Sequence, residues 1–431
     1  MHRKTRTTLW PLRLGVVACL AGAPLAALAQ TLAPAMAPAS TPAPSTTQAA
    51  SLAQAFEAAW ARQPEALALQ ARRDAARATQ QAAQAWTPEP AALELGAKTE
   101  RLTRHQGSRE YDVGLAVPLW LPGERQQSAA LANATAGAVE SHAKAAQLRV
   151  AAAVREAWWQ WQRALVDTGA ARDQLDNASR IAADVAKRHS RGDLARADQH
   201  QADGAVAAAE SAWAQAEATV VASRLQLQSL TGLRVAEQAA PSAEPDTDEG
   251  AADINAHASV LDLQHRSTVA RHAAALAGTQ TRANPELTLA TTRARGGTGE
   301  AYGQTVTLGL RFPLGAGPRQ DARRASADAE HTELQAQLAL ERERLAAERQ
   351  SAAARVAAGR TQLAAADRRA RLAAESRGFF DKSFRLGETD LPTRLRIEAE
   401  AADAQRQQAR AGIDLAAAVS AWRQALGLLP Q

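Results

Sequence analysis

Apolar residues recur along this chain with two different periods, and the places where one period gives way to the other divide it into elements. From Glu124 to about Arg188 there is no proline and alanine dominates. That predicts one nearly continuous helix of about 65 residues, or about 97 Å at 1.5 Å per residue. Within it Val154, Trp158, Trp161 and Leu165 are spaced 4, 3 and 4 apart, as along the seam of a coiled coil. A second stretch of the same kind runs from Arg319 to about Phe384, with Pro318 suited to its first turn and Leu334, Leu338 and Leu345 in the same register. Helices this long lie outside the range of ordinary globular domains. The shorter helical stretches, Ser51 to Trp86 and Leu194 to Thr231, together match the long one, so two short helices can stack end to end beside it. Trp158, Trp159 and Trp161 read as mid-helix core, and Glu341, Arg342, Glu343 and Arg344 as a solvated face.

Between these helices the period drops to two. Over Tyr111 to Leu121, Val113, Leu115, Val117 and Leu119 share one face, with Asp112, Gly114 and Ala116 on the other. Val306, Leu308, Leu310 and Phe312 alternate in the same way with Thr305, Thr307, Gly309 and Arg311. Their predicted partners run from about Ala91 to Thr103 and from Leu287 to Arg295, across polar loops at His105-Gln106-Gly107-Ser108 and Gly296-Gly297-Thr298-Gly299. Two hairpins result, spanning 91–121 and 286–315. Strands with one apolar and one polar face, each about 9 to 12 residues long, fit a barrel wall between lipid and water. Tyr111 and Tyr302 at one end, and Trp120 and Phe312 at the other, would mark the two interfaces. Four strands are too few to close a barrel, and open edges are not tolerated in hydrocarbon, so insertion requires an oligomer.

The two halves repeat each other. Pro90 matches Pro285, Val117-Pro118-Leu119 matches Phe312-Pro313-Leu314, Gly192 matches Gly387, and Leu230-Thr231-Gly232-Leu233 matches Ala425-Leu426-Gly427-Leu428, every pair offset by 195 residues. Four landmarks of different type at one offset indicate internal duplication. The repeats are predicted over 51–234 and 257–431, each in the order helix, hairpin, long helix, glycine turn, helix. Residues 235–256, with Pro241, Pro245, Glu244, Asp246, Asp248, Glu249 and Asp253, read as an acidic, solvated connector. Residues 30–50, rich in Ala, Pro, Ser and Thr, read as a linker without core-forming capacity.

Composition narrows the compartment. Arg3, Lys4, Arg6 and Arg13 precede an apolar stretch ending in Ala27-Leu28-Ala29, so residues 1–29 read as a secretory signal peptide. Val16-Val17-Ala18-Cys19 also loosely fits a lipoprotein cleavage box. Four of the 50 Lys and Arg lie in that segment and none of the 45 Asp and Glu, which leaves the remainder nearly neutral. The basic balance therefore says nothing about nucleic acid, and no basic stripe with interleaved aromatics is present. Cys19 is the only cysteine, so the mature chain offers no disulfide, thiolate ligand or thiol nucleophile. Nine histidines, at 2, 105, 142, 189, 200, 257, 265, 272 and 331, show no ligand spacing, with His189 and His200 the nearest to a candidate pair. No phosphate loop or nucleophile motif points to an enzyme, and no cofactor is expected. After the signal there is no run of about 18 apolar residues that would make a spanning helix.

The order of elements, together with Val117-Pro118-Leu119-Trp120-Leu121-Pro122-Gly123-Glu124-Arg125, Asn284-Pro285-Glu286-Leu287, Phe312-Pro313-Leu314-Gly315, Phe384-Arg385-Leu386-Gly387-Glu388 and Asp390-Leu391, resembles the TolC-like outer membrane efflux protein family over essentially the whole mature chain. The resemblance implies a mainly α fold with β: a homotrimer whose 12 strands, four per protomer, form a transmembrane β-barrel continued by a long periplasmic α-helical coiled-coil barrel. It implies an outer membrane location and two partners, a periplasmic adaptor (membrane fusion) protein and an inner-membrane pump. The adaptor would meet the helix tips at Arg191, Gly192, Arg385, Leu386 and Gly387. Asp193, Asp198, Asp390, Thr393 and Arg396 would lie at the periplasmic aperture. Family members often place acids six and nine residues after the second turn glycine, where this chain has Thr393 and Arg396, so a carboxylate ring is in doubt. The Asn-Pro-Glu-Leu and Phe-Arg-Leu-Gly-Glu motifs suggest the heavy-metal cation subgroup. Export of organic compounds, type I protein secretion, and a soluble periplasmic coiled-coil protein are the alternatives.

Overall fold

The structure, a computed structural model, describes residues 51–100, 106–234, 243–247, 253–314 and 317–431. The predicted signal peptide, the 30–50 linker and much of the 235–256 connector lie outside the described residues.

Alanine-rich, proline-free sequence becomes helix as expected. The order is α1 (Leu52–Ala61), α2 (Pro64–Ala83), β1 (Ala92–Thr99), β2 (Arg109–Pro118), α3 (Glu124–Ser190), α4 (Arg196–Thr231), α5 (Ala258–Thr279), β3 (Glu286–Arg295), β4 (Gly303–Arg311), α6 (Pro318–Leu386) and α7 (Leu391–Ala425). With 67 and 69 residues, α3 and α6 are each about 100 Å long at 1.5 Å per residue. The single helix expected over Ser51 to Trp86 is instead two. Pro64 has no N–H to donate and disfavours helical backbone at Gln63, so α1 stops at Ala61 and Pro64 opens α2. Ser51 starts α1 with a capping box, its hydroxyl accepting from the Gln54 N–H at 3.2 Å while the Gln54 side chain accepts from the Ser51 N–H at 3.0 Å.

The helices form a layer. Helix α3 packs against α2 and α4 on one side and α5 and α7 on the other, and α6 packs against α5 and α7. Two short helices thus stack along each side of α3, as the lengths predicted. The tryptophan seam is the deepest core: Trp158, Trp159 and Trp161 are buried among Leu52 and Phe56 of α1, Leu227 of α4 and Ile413 of α7. The rings of Trp158 and Trp161 meet edge to face at 5.4 Å. Leu334 and Leu345 are buried on α6. The charged run behind them is only partly solvated. Glu343 and Arg344 are exposed, while Glu341 and Arg342 are half-buried.

The connector also departs from its prediction. Asp246 is exposed, but Glu244 is fully enclosed between Arg155 of α3 and Arg423 of α7, with N···O distances of 2.7 and 3.3 Å. Arg155 also donates to Gln424 and to the Leu428 carbonyl, and Arg423 to Thr247 and the Pro245 carbonyl. A residue expected in solvent is therefore the bridge between helices of the two repeats, and only folding brings those two arginines to it.

Candidate functional site

The four strands form one antiparallel sheet in the order β1-β2-β3-β4, so β1 and β4 are its open edges. The pairing sets the apolar residues in rows across it. Leu93, Leu115, Leu289 and Leu308 make one row, Leu95, Val113, Thr291 and Val306 the next, and Val117, Leu287 and Leu310 a third. Apart from the half-buried Val117, these leucines and valines are open to the surroundings; Leu95 and Leu308 are each 72% exposed. The opposite face carries Glu94, Lys98, Glu110, Asp112, Thr288, Thr292, Thr305 and Thr307 with small residues between them. There Thr292 donates to Asp112 at 2.7 Å, and Lys98 pairs with Glu110 at 2.7 Å. Small residues sit closest to the polar groups on that face. A Cβ at Gly309 would come within 2.6 Å of the Thr288 hydroxyl, and Gly114 and Ala116 are buried where Val113 and Leu115 are not. A sheet that leaves a continuous row of leucines and valines uncovered departs from the arrangement of a water-soluble protein.

The sheet joins the helices at Glu124, the first residue of α3. Its carboxylate is buried and accepts from the Leu121 N–H at 2.9 Å, from Gln280 at 2.6 Å and from Asn284 at 2.7 Å. Asn284 donates further to the Leu119 carbonyl, and the Leu119 N–H donates to Pro285. Gly123, at φ +81°, makes the turn that aims the carboxylate inward. Two of the motifs that carry the family resemblance are thus one clamp between the repeats. At this level Trp86 is 95% exposed and Phe312 51% exposed, while Trp120 donates its indole N–H to the Ala85 carbonyl at 3.2 Å. Tyr111 and Tyr302 lie together at the other end of the sheet, ring centroids 6.4 Å apart.

At the far end of the helices the two turns share one geometry. Gly192 and Gly387 have φ of +85° and +79°. The N–H of the next residue, Asp193 or Glu388, closes back on the carbonyl five residues earlier, at 3.0 Å in each case. Arg191, Gly192, Arg385, Leu386 and Gly387 are all exposed, Leu386 at 75%. Arg385 also pairs with Asp381 at 2.6 Å. Of the residues predicted at an aperture, Asp198 accepts the Ala195 N–H at 3.0 Å and Asp390 the Thr393 N–H at 3.1 Å, each as a cap at a helix start. Hydrogen bonding by Thr393 holds the Asp390 carboxyl below its ordinary value. Arg396 pairs with Glu400 at 2.7 Å, and Asp193 is exposed.

The tips are tied together by residues the sequence pattern does not single out. Phe384, read only as part of a motif, is buried with Ile181, Val185, Ala202 and Leu391. The guanidinium groups of Arg188 and Arg394 lie 4.7 and 4.6 Å from its ring centre. Arg394 bridges Asp381 at 2.9 Å and Asp184 at 3.7 Å. His189 donates its Nδ1–H to the Leu194 carbonyl, 2.9 Å away. Among the described residues no three His, Cys, Asp or Glu side chains are placed to hold a metal ion.

Both flanks of the helix layer carry uncovered apolar residues. Leu372, Phe379 and Leu386 follow one another at seven-residue spacing on α6, all at least 64% exposed. On the other side Leu67 of α2 and Val221 and Leu225 of α4 are exposed as well. Among the described residues no helix is long and apolar enough to cross a membrane.

Solved structures share this architecture. The outer membrane protein VceC from Vibrio cholerae superposes with a TM-score of 0.68 at 17% identity, over 88% of this chain and 97% of that one. CusC, in a structure of folding and transmembrane channel formation, gives 0.74 at 15% identity over 92% and 99%. The open MtrE outer membrane channel of Neisseria gonorrhoeae gives 0.69 at 15% over 88% and 89%. At such identities the likeness concerns the fold alone, mainly helical with a small antiparallel sheet. No curated protein matches the chain by sequence. Residues 55–233, nearly all of the predicted first repeat, match the family described as outer membrane efflux protein. In the sequence of that half and in the fold of nearly its whole length, the chain resembles the outer membrane efflux proteins.

Proposed function

We propose that this chain is one protomer of a homotrimeric outer membrane duct, which passively conducts substrates out of the cell from an inner-membrane pump and a periplasmic adaptor. The observation that carries the reading is the sheet: exposed leucines and valines on one face, polar and small residues on the other, and two unpaired edges. An unpaired edge leaves backbone groups without partners, which hydrocarbon does not permit, so β4 of one copy pairs with β1 of the next until the wall closes. The helix layer has the same logic. Its α6 flank and its α2 and α4 flank are different surfaces with apolar residues uncovered, and head-to-tail contact between unlike surfaces closes into a ring.

Passive conduction needs only width and a wet wall, which the Thr, Asp and Glu side chains of the inner face supply. The exposed turns at Arg191, Gly192, Arg385, Leu386 and Gly387 are the surface the barrel end offers to an adaptor. Heavy-metal cations are the substrate suggested by the resemblance of the Asn284 and Phe384 motifs. The conduit itself fits organic compounds or polypeptides equally.

The full-length protein, expressed with its first 29 residues, is expected to fractionate with the outer membrane and to run as a trimer in mild detergent. A soluble monomer in the periplasm would overturn the reading.

A further inference from the structure

On the outward face of the sheet the apolar rows end abruptly in cations. Beyond the row of Leu95, Val113, Thr291 and Val306 comes Ala97, Tyr111, Arg293 and Gln304, and then Thr99, Arg109 and Arg295. Paired residues of antiparallel strands share a face, so these arginines continue the surface of the leucines. The guanidinium groups of Arg293 and Arg295 lie 5.0 and 5.2 Å from the ring centre of Tyr302, whose ring neighbours that of Tyr111 at 6.4 Å.

Among the described residues these charges have no ion-pair partner within the sheet. The acids of β2, Glu110 and Asp112, point to the other face and are bridged by Lys98 at 2.7 and 3.8 Å, while Glu286 of β3 lies at the opposite end of the sheet beside Arg311 at 3.4 Å. Arg295 donates its Nε–H to the Gly107 carbonyl at 3.2 Å, which leaves its terminal nitrogens for other acceptors. Among the described residues no carboxylate pairs with Arg109, Arg293 or Arg295. The cluster sits at the hairpin-loop end of the sheet, opposite to the helices. From Leu119 to Tyr111 the strand advances about 27 Å at 3.4 Å per residue, or about 21 Å of height at a tilt near 40°. The arginines therefore come level with the headgroups on the side of the membrane away from the helices.

Resting on the membrane reading above, we propose that Arg293 and Arg295, framed by Tyr111 and Tyr302, bind the phosphate of a phosphorylated lipid in the outer leaflet, its acyl chains lying along Val113, Leu289, Val306 and Leu308. Guanidinium groups grip phosphate oxygens in pairs, and the aromatic rings hold them in place. A free phosphate would engage only the cations. The joined cationic and apolar surface fits an amphiphile.

The test uses the full-length trimer in mild detergent, with bis-phosphorylated lipid A as the probe and native mass spectrometry as the readout. Wild-type protein is expected to retain lipid A, R293Q/R295Q to bind it on the order of tenfold more weakly, and R293K/R295K to fall between. Lipid A stripped of its phosphates should bind as weakly to wild type as intact lipid A does to the glutamine variant. Equal binding of lipid A by wild type and R293Q/R295Q, equal binding of the dephosphorylated lipid, or displacement of lipid A by equimolar inorganic phosphate would each overturn the site. Trimer assembly and outer membrane fractionation of both proteins separate the two ideas. A wild type that fails to reach the outer membrane defeats the lipid-facing reading itself, whereas normal insertion with unchanged lipid A binding defeats only the arginine site.

Discussion

A leucine and a threonine that are both exposed say little until the pairing shows which surroundings each one meets. Leu310 lies in the row with Val117 and Leu287, on the apolar face, and Thr307 lies opposite Ala290 on the polar one. If the apolar face meets acyl chains, a charge there costs about 2 to 4 kcal/mol at the midplane and less toward the interface that Phe312 marks, while the inner face is wet. Leu310→Arg is therefore expected to lower the fraction of trimer recovered in the outer membrane, and Thr307→Arg to leave it near the wild-type level. Equal recovery of the two variants would mean that the faces are assigned the wrong way round.

Elements are joined by a few buried polar groups rather than by more hydrophobic contact. Glu244 touches Arg155 and Arg423, from helices in different repeats, and all three side chains are at most 4% exposed. Removing one member of such a group leaves buried charge uncompensated, at a cost of about 3 to 5 kcal/mol. Glu244→Gln is thus expected to lower the thermal midpoint of helix loss by circular dichroism. Asp246→Asn, two residues along, should barely change it. Asp246 pairs with Arg360, but both side chains are more than half exposed, and surface pairs contribute about 0 to 1 kcal/mol. If the two variants melt alike, the connector is not a strap.

Over the whole molecule, the two ends differ in what they leave uncovered. The sheet end leaves an apolar wall and two strand edges, which other copies and lipid would cover. The tip end leaves small turns, cationic and apolar at Arg385 and Leu386, over a core in which Phe384 is held by Arg188 and Arg394. That core lies beneath the turn, and Arg385 touches it only through Asp381, which keeps its pair with Arg394 when Arg385 is changed. Replacing Leu386 with Ser and Arg385 with Glu is expected to abolish export and crosslinking to the adaptor while the trimer remains intact by native gel. Normal export by that variant would remove the tips from the docking surface.

Much of this architecture is written in local pattern. The change of period from 3.6 to 2, the absence of proline over Glu124 to Arg188, the turn glycines at 192 and 387 and the offset of 195 residues all act over short stretches or repeat themselves. They determine the long helices, the hairpins and the inward and outward faces of each strand. A proline has a local effect too, and the break before Pro64 could have been read from it. What only the tertiary structure decided is which polar residues lose their water. Glu244 sits in an acidic segment and Glu124 at the head of a polar helix turn, and nothing nearby in the chain marks either as buried. Their partners, Arg155 with Arg423 and Gln280 with Asn284, lie at least 89 residues away. A buried charge is tolerable only where such partners converge, and that convergence is a property of the packed helices, not of any one segment.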